Sequence, residues 1–280
     1  MKSRFQLYFL RSMCQTLLNL TLYYYRYYKT NNTETERIYI MGLLGKFWNK
    51  ESDNTQKSEV INLSKSKDNL DKVLVNLSKE GKVNLSKHIA KVALAMDYSG
   101  SMDRLFMSGA VQNTITRLLP IALRFDDNGE LESWLFSNGE KRLKPISINN
   151  YENYVKNLIM KSGMSMGGTE YAPVLKDIVK YYNKSDLDNI PAFVIFITDG
   201  ANSDRSETDK IIRELSEYNM FVQFVGIGNE SFNYLRSLDD MPGRKCDNTG
   251  FILVKDMEKM NDEELYTELI RQYKDWLNNK

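Results

Sequence analysis

The sequence predicts a doubly wound α/β domain, a mostly parallel sheet with helices on both faces. Three observations carry that expectation. Five short runs, KVALAMD, ESWLFS, AFVIFITD, MFVQFVGIG and GFILVKD, are apolar at nearly every position, the pattern of strands covered on both sides. Between them lie segments with apolar residues at helical spacing, of which Leu105, Val111, Ile115, Leu118, Leu119 and Ala122 form one set. Finally, polar clusters follow the strand ends, where open α/β sheets bind their ligands.

Along the chain, residues 1–40 differ in kind from the rest. They are aromatic and basic, with no acidic residue before Glu34, and Arg11 and Asn19 interrupt the apolar run too often for a spanning helix. They read as a leader from an over-extended start, with Met41 opening the native chain. The competing reading is an interfacial anchor over residues 5–28. Residues 41–88 read as a polar linker. Within it, residues 49–70 have linker composition and NLSK recurs at 62–65, 76–79 and 84–87. A hairpin turning at Glu80-Gly81 competes there with a helix over residues 70–80, since Leu70, Val73, Leu74 and Leu77 share one helical face. The alternating strand and helix pattern fills residues 89–280.

Composition removes several functions. With 38 basic and 37 acidic residues the net charge is +1, and no basic cluster offers a nucleic-acid surface. Two distant cysteines, Cys14 and Cys246, and one histidine, His88, assemble neither a disulfide framework nor a Cys/His zinc site, which points to a reducing cytoplasm. Residues 163–167, GMSMG, match a nucleophile elbow around Ser165, but its histidine must follow the serine and His88 precedes it. A phosphotransfer site built on Asp97 would want a second carboxylate where Ser99 stands, and no P-loop glycine pattern surrounds it. The expectation is therefore a binding protein and not an enzyme.

The stretch AMDYSGSMDR, residues 95–104, puts Asp97, Ser99 and Ser101 at alternate positions directly after an apolar strand. A turning loop then aims every second side chain inward. MSMGGTEYAPVL, residues 164–175, carries Thr169 into a helix, and AFVIFIT ends in Asp199-Gly200. Together these loops offer two carboxylates and three hydroxyls with no nitrogen or sulfur, a donor set for a hard cation such as Mg²⁺ or Mn²⁺. Asp126, Asp127 and Asp204 read as solvated turn carboxylates, and His88 as a surface or boundary residue.

In that order, DYSGSM, GGT and TDG resemble the metal-ion-dependent adhesion site of a von Willebrand factor type A (vWA) domain, over about residues 90–278. RFDDNGELESWLFSN and MGGTEYAPVL resemble the bacterial tellurium-resistance, or toxic-cation-resistance, branch of that superfamily. The resemblance implies a Rossmann-like fold, direct metal ligation by Ser99, Ser101 and Thr169, and ligation by Asp97 and Asp199 either directly or through water. It further implies a divalent-metal-dependent protein-interaction module of a stress or tellurite-resistance system. Its protein partner would supply an Asp or Glu to the metal. A tethered, adhesion-like protein is the alternative if residues 5–28 are an anchor.

Overall fold

Each of the five apolar runs is a strand in the computed structural model, and a sixth strand joins them at one edge. The structure describes residues 62–280 apart from 183–186, 188–189, 201 and 258. The strands are β1 (Lys91–Asp97), β2 (Leu131–Phe136), β3 (Glu140–Ile146), β4 (Ala192–Thr198), β5 (Met220–Ile227) and β6 (Thr249–Val254), in the order β3-β2-β1-β4-β5-β6. All neighbours are parallel except β2 and β3. The helices are α1 (Leu63–Ser78), α2 (Asp103–Ser108), α3 (Ala110–Phe125), α4 (Ala172–Tyr181), α5 (Arg205–Leu215), α6 (Asn233–Asp239) and α7 (Asp262–Asn279). Strand order reverses at β1, so the crevice expected for ligands lies at the carboxyl ends of β1 and β4.

Alternation along β1 divides the core. Val92, Leu94 and Met96 pack with α1, α3 and α7 on one face, whereas Ala93 and Ala95 pack with α4, α5 and α6 on the other. Strand β3 was not among the predicted runs, because EKRLKPI is an exposed edge strand with a polar sequence and carries Pro145. Arg142 anchors it, bonding Glu132 of β2 at 2.9 Å and lying 3.6 Å over the Tyr181 ring. The helical face read across residues 105–122 is interrupted at Gly109, whose φ of +86° ends α2 before α3 begins.

Before β1 the open alternative resolves as helix. Asn62 caps α1 by accepting the Ser64 N–H at 3.0 Å, and Leu70, Val73, Leu74 and Leu77 are buried against α3 and α7. From residue 63 the chain therefore departs from linker behaviour: its Lys and Ser residues form the wet face of an amphipathic helix. The compact unit is Ile61–Lys280. The leader reading of residues 1–40, the start at Met41 and the linker up to residue 61 lie outside the described residues. Among the described residues no helix is long and apolar enough to cross a membrane.

One buried cation ties three helices together. Arg117 of α3, 3% exposed, donates to Asp262 Oδ1 at 2.7 Å, to the Met260 carbonyl at 2.6 Å and to the Met257 carbonyl. Asp262 in turn accepts the Ser66 hydroxyl of α1 at 2.7 Å, and Tyr266 of α7 donates to the Arg117 carbonyl at 2.7 Å. Asp262→Ala is expected to cost about 3 kcal/mol in denaturant unfolding, because it leaves a guanidinium buried with its countercharge removed. His88 sits before β1 with Nε2 2.8 Å from the Tyr273 hydroxyl. Burial, aided by the Lys280 charge, lowers its pKa to about 4. The unfolded chain then binds the extra proton between about pH 6.5 and pH 4, so stability should fall as pH falls through that window. His88→Gln should flatten this part of a pH series of melting temperatures.

Candidate metal centre

The site grows from the end of β1. Asp97 is its last residue and is fully buried, because β2 and β4 flank it and the chain turns over it. Its Oδ1 accepts the Ser99 N–H at 2.7 Å and its Oδ2 accepts the Thr198 hydroxyl at 2.6 Å. Thr198 closes β4, the neighbouring strand, and its hydroxyl also receives the Tyr171 hydroxyl at 3.2 Å. Beyond Asp97 the side chains link in sequence. Ser99 Oγ and Ser101 Oγ lie 3.0 Å apart, and Ser101 donates to Asp199 Oδ1 at 2.8 Å. Asp97, Ser99, Ser101 and Asp199 thus form one hydrogen-bonded chain, from a buried strand end through an exposed serine to a half-buried carboxylate.

Thr169 reaches this centre by its loop. Ser99 pairs with Gly167, the Gly100 N–H donates to the Gly167 carbonyl at 3.1 Å, and the Thr169 carbonyl accepts the Ser203 N–H at 2.9 Å. Backbone bonds therefore stitch the glycine loop to the other two loops. Among the described residues the Thr169 hydroxyl makes no hydrogen bond, so Thr169 adjoins the chain of side chains without belonging to it. The paired glycines have a steric reason: a Cβ on Gly167 would clash with Asn138 Oδ1, and the Gly168 N–H donates to that same oxygen at 2.7 Å.

Several contributors lay outside the predicted set. Asp204, read as a solvated turn residue, accepts the N–H groups of Tyr171 and Ala172 at 3.0 and 2.8 Å and the Asn202 amide at 2.7 Å. Its carboxylate fixes the start of α4, directly after Thr169. Asp126 is likewise engaged, accepting the Val92 N–H at 3.2 Å, while Asp127 pairs with Lys91 at 2.7 Å. Thr198 is the one whose signal was visible: a hydroxyl ending an otherwise apolar strand. Glu230, after β5, acts on Asp199 through its charge. His88, at the opposite end of β1, takes no part.

The electrostatics call for a cation. Burial raises the Asp97 pKa to about 6, although bonds from Thr198 and Ser99 oppose the shift. Burial also raises that of Asp199, with Glu230 adding to it. Among the described residues neither carboxylate makes an ion pair with a basic side chain, and the charges acting on them are those of other acids. The separations of 3.0 and 2.8 Å between successive oxygens match the edge of an octahedron, about 3 Å for ligand bonds of 2.0–2.1 Å. Among the described residues no group of three or more His, Cys, Asp and Glu is placed for a metal, in keeping with a donor set whose remaining members are hydroxyls. The residues present fit a small, hard dication.

Comparison with known proteins gives one family. The family model of vWA domains found in the TerF C terminus matches residues 89–280. YcbR of Bacillus subtilis (strain 168), described as uncharacterized, is 38% identical over 198 residues, covering 70% of this chain and 81% of that protein. Among solved structures, the ArnB paralog VWA2 of Sulfolobus acidocaldarius aligns with a TM-score of 0.44 and 18% identity over 67% of this chain and 46% of that one. Manganese-loaded TRAP of Plasmodium vivax aligns at 0.47 and 16%, over 66% of this chain and 73% of that one. The chain spans less than half the length of VWA2.

Asp97→Asn keeps the shape of the strand end and removes its charge. In EDTA this variant is expected to melt no lower than the wild type, since a buried carboxylate lacking a countercharge is gone. Millimolar Mg²⁺ is expected to stabilise the wild type by about 1.4 to 2.7 kcal/mol at roughly 10 to 100 times Kd, and the variant not at all. Thermal melts in both conditions check this.

Proposed function

The chain belongs to the family of vWA domains found in the TerF C terminus, and on that premise we propose that it is a divalent-metal-dependent protein-interaction module, working in a cytoplasmic stress or tellurite-resistance system. The observation that carries the proposal is the linked chain Asp97, Ser99, Ser101 and Asp199 at the strand-order reversal, with two carboxylates and, among the described residues, no basic counterion. Ser99, Ser101 and Thr169 would hold Mg²⁺ or Mn²⁺ through hydroxyls, with Asp97 and Asp199 balancing its charge directly or through water.

Bound there, such an ion supplies Lewis-acid attraction for one further carboxylate. The protein's part is arrangement. Asp97 is kept rigid by the Ser99 N–H and the Thr198 hydroxyl, so the buried end of the site does not reorganise when a ligand arrives. Ser101 is exposed and Asp199 half-buried, so the open side of the site faces solvent. Neutral hydroxyls leave the ion less neutralised than carboxylates would, which favours an Asp or Glu from a partner protein. A binding role, and not catalysis, is supported by the surroundings. His88, which a serine nucleophile would need as its base, is committed to Tyr273 at the far end of β1.

Thr169→Ala and Asp199→Ala should separate recognition from ion retention. Thr169→Ala is expected to keep the fold and lose only part of the Mg²⁺ affinity while losing most EDTA-releasable partner capture. Asp199→Ala should lose both, because it deletes charge that balances the cation. Calorimetry with Mg²⁺, paired with affinity capture from the native lysate with and without EDTA, reads both quantities. Equal capture by Thr169→Ala and wild type would make the ion purely structural.

A further inference from the structure

A cavity of about 500 Å³ opens beside the candidate metal centre and shares two of its residues, Ser101 and Asp199. Its floor is apolar. Met96, Met102, Val111, Ile227 and Met257 are 0–7% exposed, so the space is a recess into the core between α3 and the ends of β5 and β6. Its rim is charged, with Arg104 and Lys255 both exposed. Among the described residues neither makes an ion pair. The acidic rim residues are placed differently: Asp256 is held by Lys259 at 2.9 Å, and Glu230 acts on Asp199 at the metal side.

We propose that this cavity is the specificity socket of the metal centre, taking a leucine- or methionine-sized side chain next to the acidic residue that a partner presents. Arg104 and Lys255 then receive a second carboxylate of the same segment. The inference rests on the metal-dependent reading above and deepens it. Continuity sets the occupant: a side chain entering the cavity passes Ser101 and Asp199, so it belongs to the chain segment whose carboxylate sits there. Methionines suit the task, because flexible thioethers reshape around an incoming aliphatic group without a fixed mould. Charge sets the flanks, since the two exposed rim cations, Arg104 and Lys255, make no ion pair among the described residues. The partner element is thus an acidic segment with an embedded large aliphatic residue.

A random-peptide display library panned on the full chain in Mg²⁺, with elution by EDTA, tests this directly. The wild type is expected to enrich peptides with an Asp or Glu within two positions of Leu, Met or Ile, together with a second acidic residue. In the best of them, replacing the aliphatic residue by Gly should weaken binding at least roughly tenfold, the loss of burying one such side chain. Ser108→Trp, an exposed change on the cavity lining, should abolish the aliphatic preference and keep the acidic one. The double change Arg104→Glu, Lys255→Glu should remove the preference for the second acid. An acid-only consensus, or the same aliphatic preference in Ser108→Trp, would overturn the socket while leaving the metal reading intact. Absence of any EDTA-eluted peptide, despite Mg²⁺ stabilisation in thermal melts, would also overturn it. Absence of that stabilisation as well would overturn the metal reading itself.

Discussion

A carboxylate with no ion-pair partner among the described residues, buried where a parallel strand ends, is the constraint on which the rest of the site depends. Taking an ionised Asp out of water costs several kcal/mol unless bonds or a cation compensate. Here Ser99, through its backbone N–H and its side chain, and the Thr198 hydroxyl do so, one residue from the turn after β1 and one from the end of β4. Each fixes a neighbour in turn. The Ser99 N–H sets the turn that brings Ser99 and Ser101 round, and Thr198 places Asp199 opposite Ser101. The site is therefore assembled by the strand ends and not by the loops alone.

The loops are held just as firmly, though by different bonds. Asn138, between β2 and β3, lies so close to Gly167 and Gly168 that a Cβ at either would displace its side chain, which accepts the Gly168 N–H. Asp204 bonds the first N–H groups of α4, which fixes where the chain leaves Thr169. Thus every segment facing the candidate ion is tied by backbone bonds to at least one other. A further set of bonds joins the cavity to the start of α7: Met257 lines the cavity, and its carbonyl accepts from Arg117, which also bonds Asp262.

What the sequence disclosed follows from which interactions leave a local mark. Five strands were legible because burial on both faces demands runs of apolar residues. Strand β3 was not, because an edge strand survives on Arg142, Glu132 and backbone pairing, and its residues look like loop. Helix α1 was half-legible: Leu70, Val73, Leu74 and Leu77 fit a helix, but whether they had anything to pack on depended on α7, nearly two hundred positions away. At the site, Asp97, Ser99 and Ser101 advertise themselves by alternation, whereas Asn138 and Asp204 act through contacts with residues 30 or more positions distant. No periodicity reports a side chain whose work is to cap a remote loop. Thr169 was legible by its glycines, yet its hydroxyl stands outside the hydrogen-bonded chain that joins the other four.

Whether those oxygens gather round an ion is the central claim, and an anomalous difference map from crystals grown with Mn²⁺ addresses it most directly. The account predicts one peak at the end of β1, about 2 Å from the hydroxyl oxygens of Ser99 and Ser101 and with room for a further ligand on the solvent side. Full Mn²⁺ occupancy elsewhere in the crystal with no peak at Ser99 and Ser101 would contradict it.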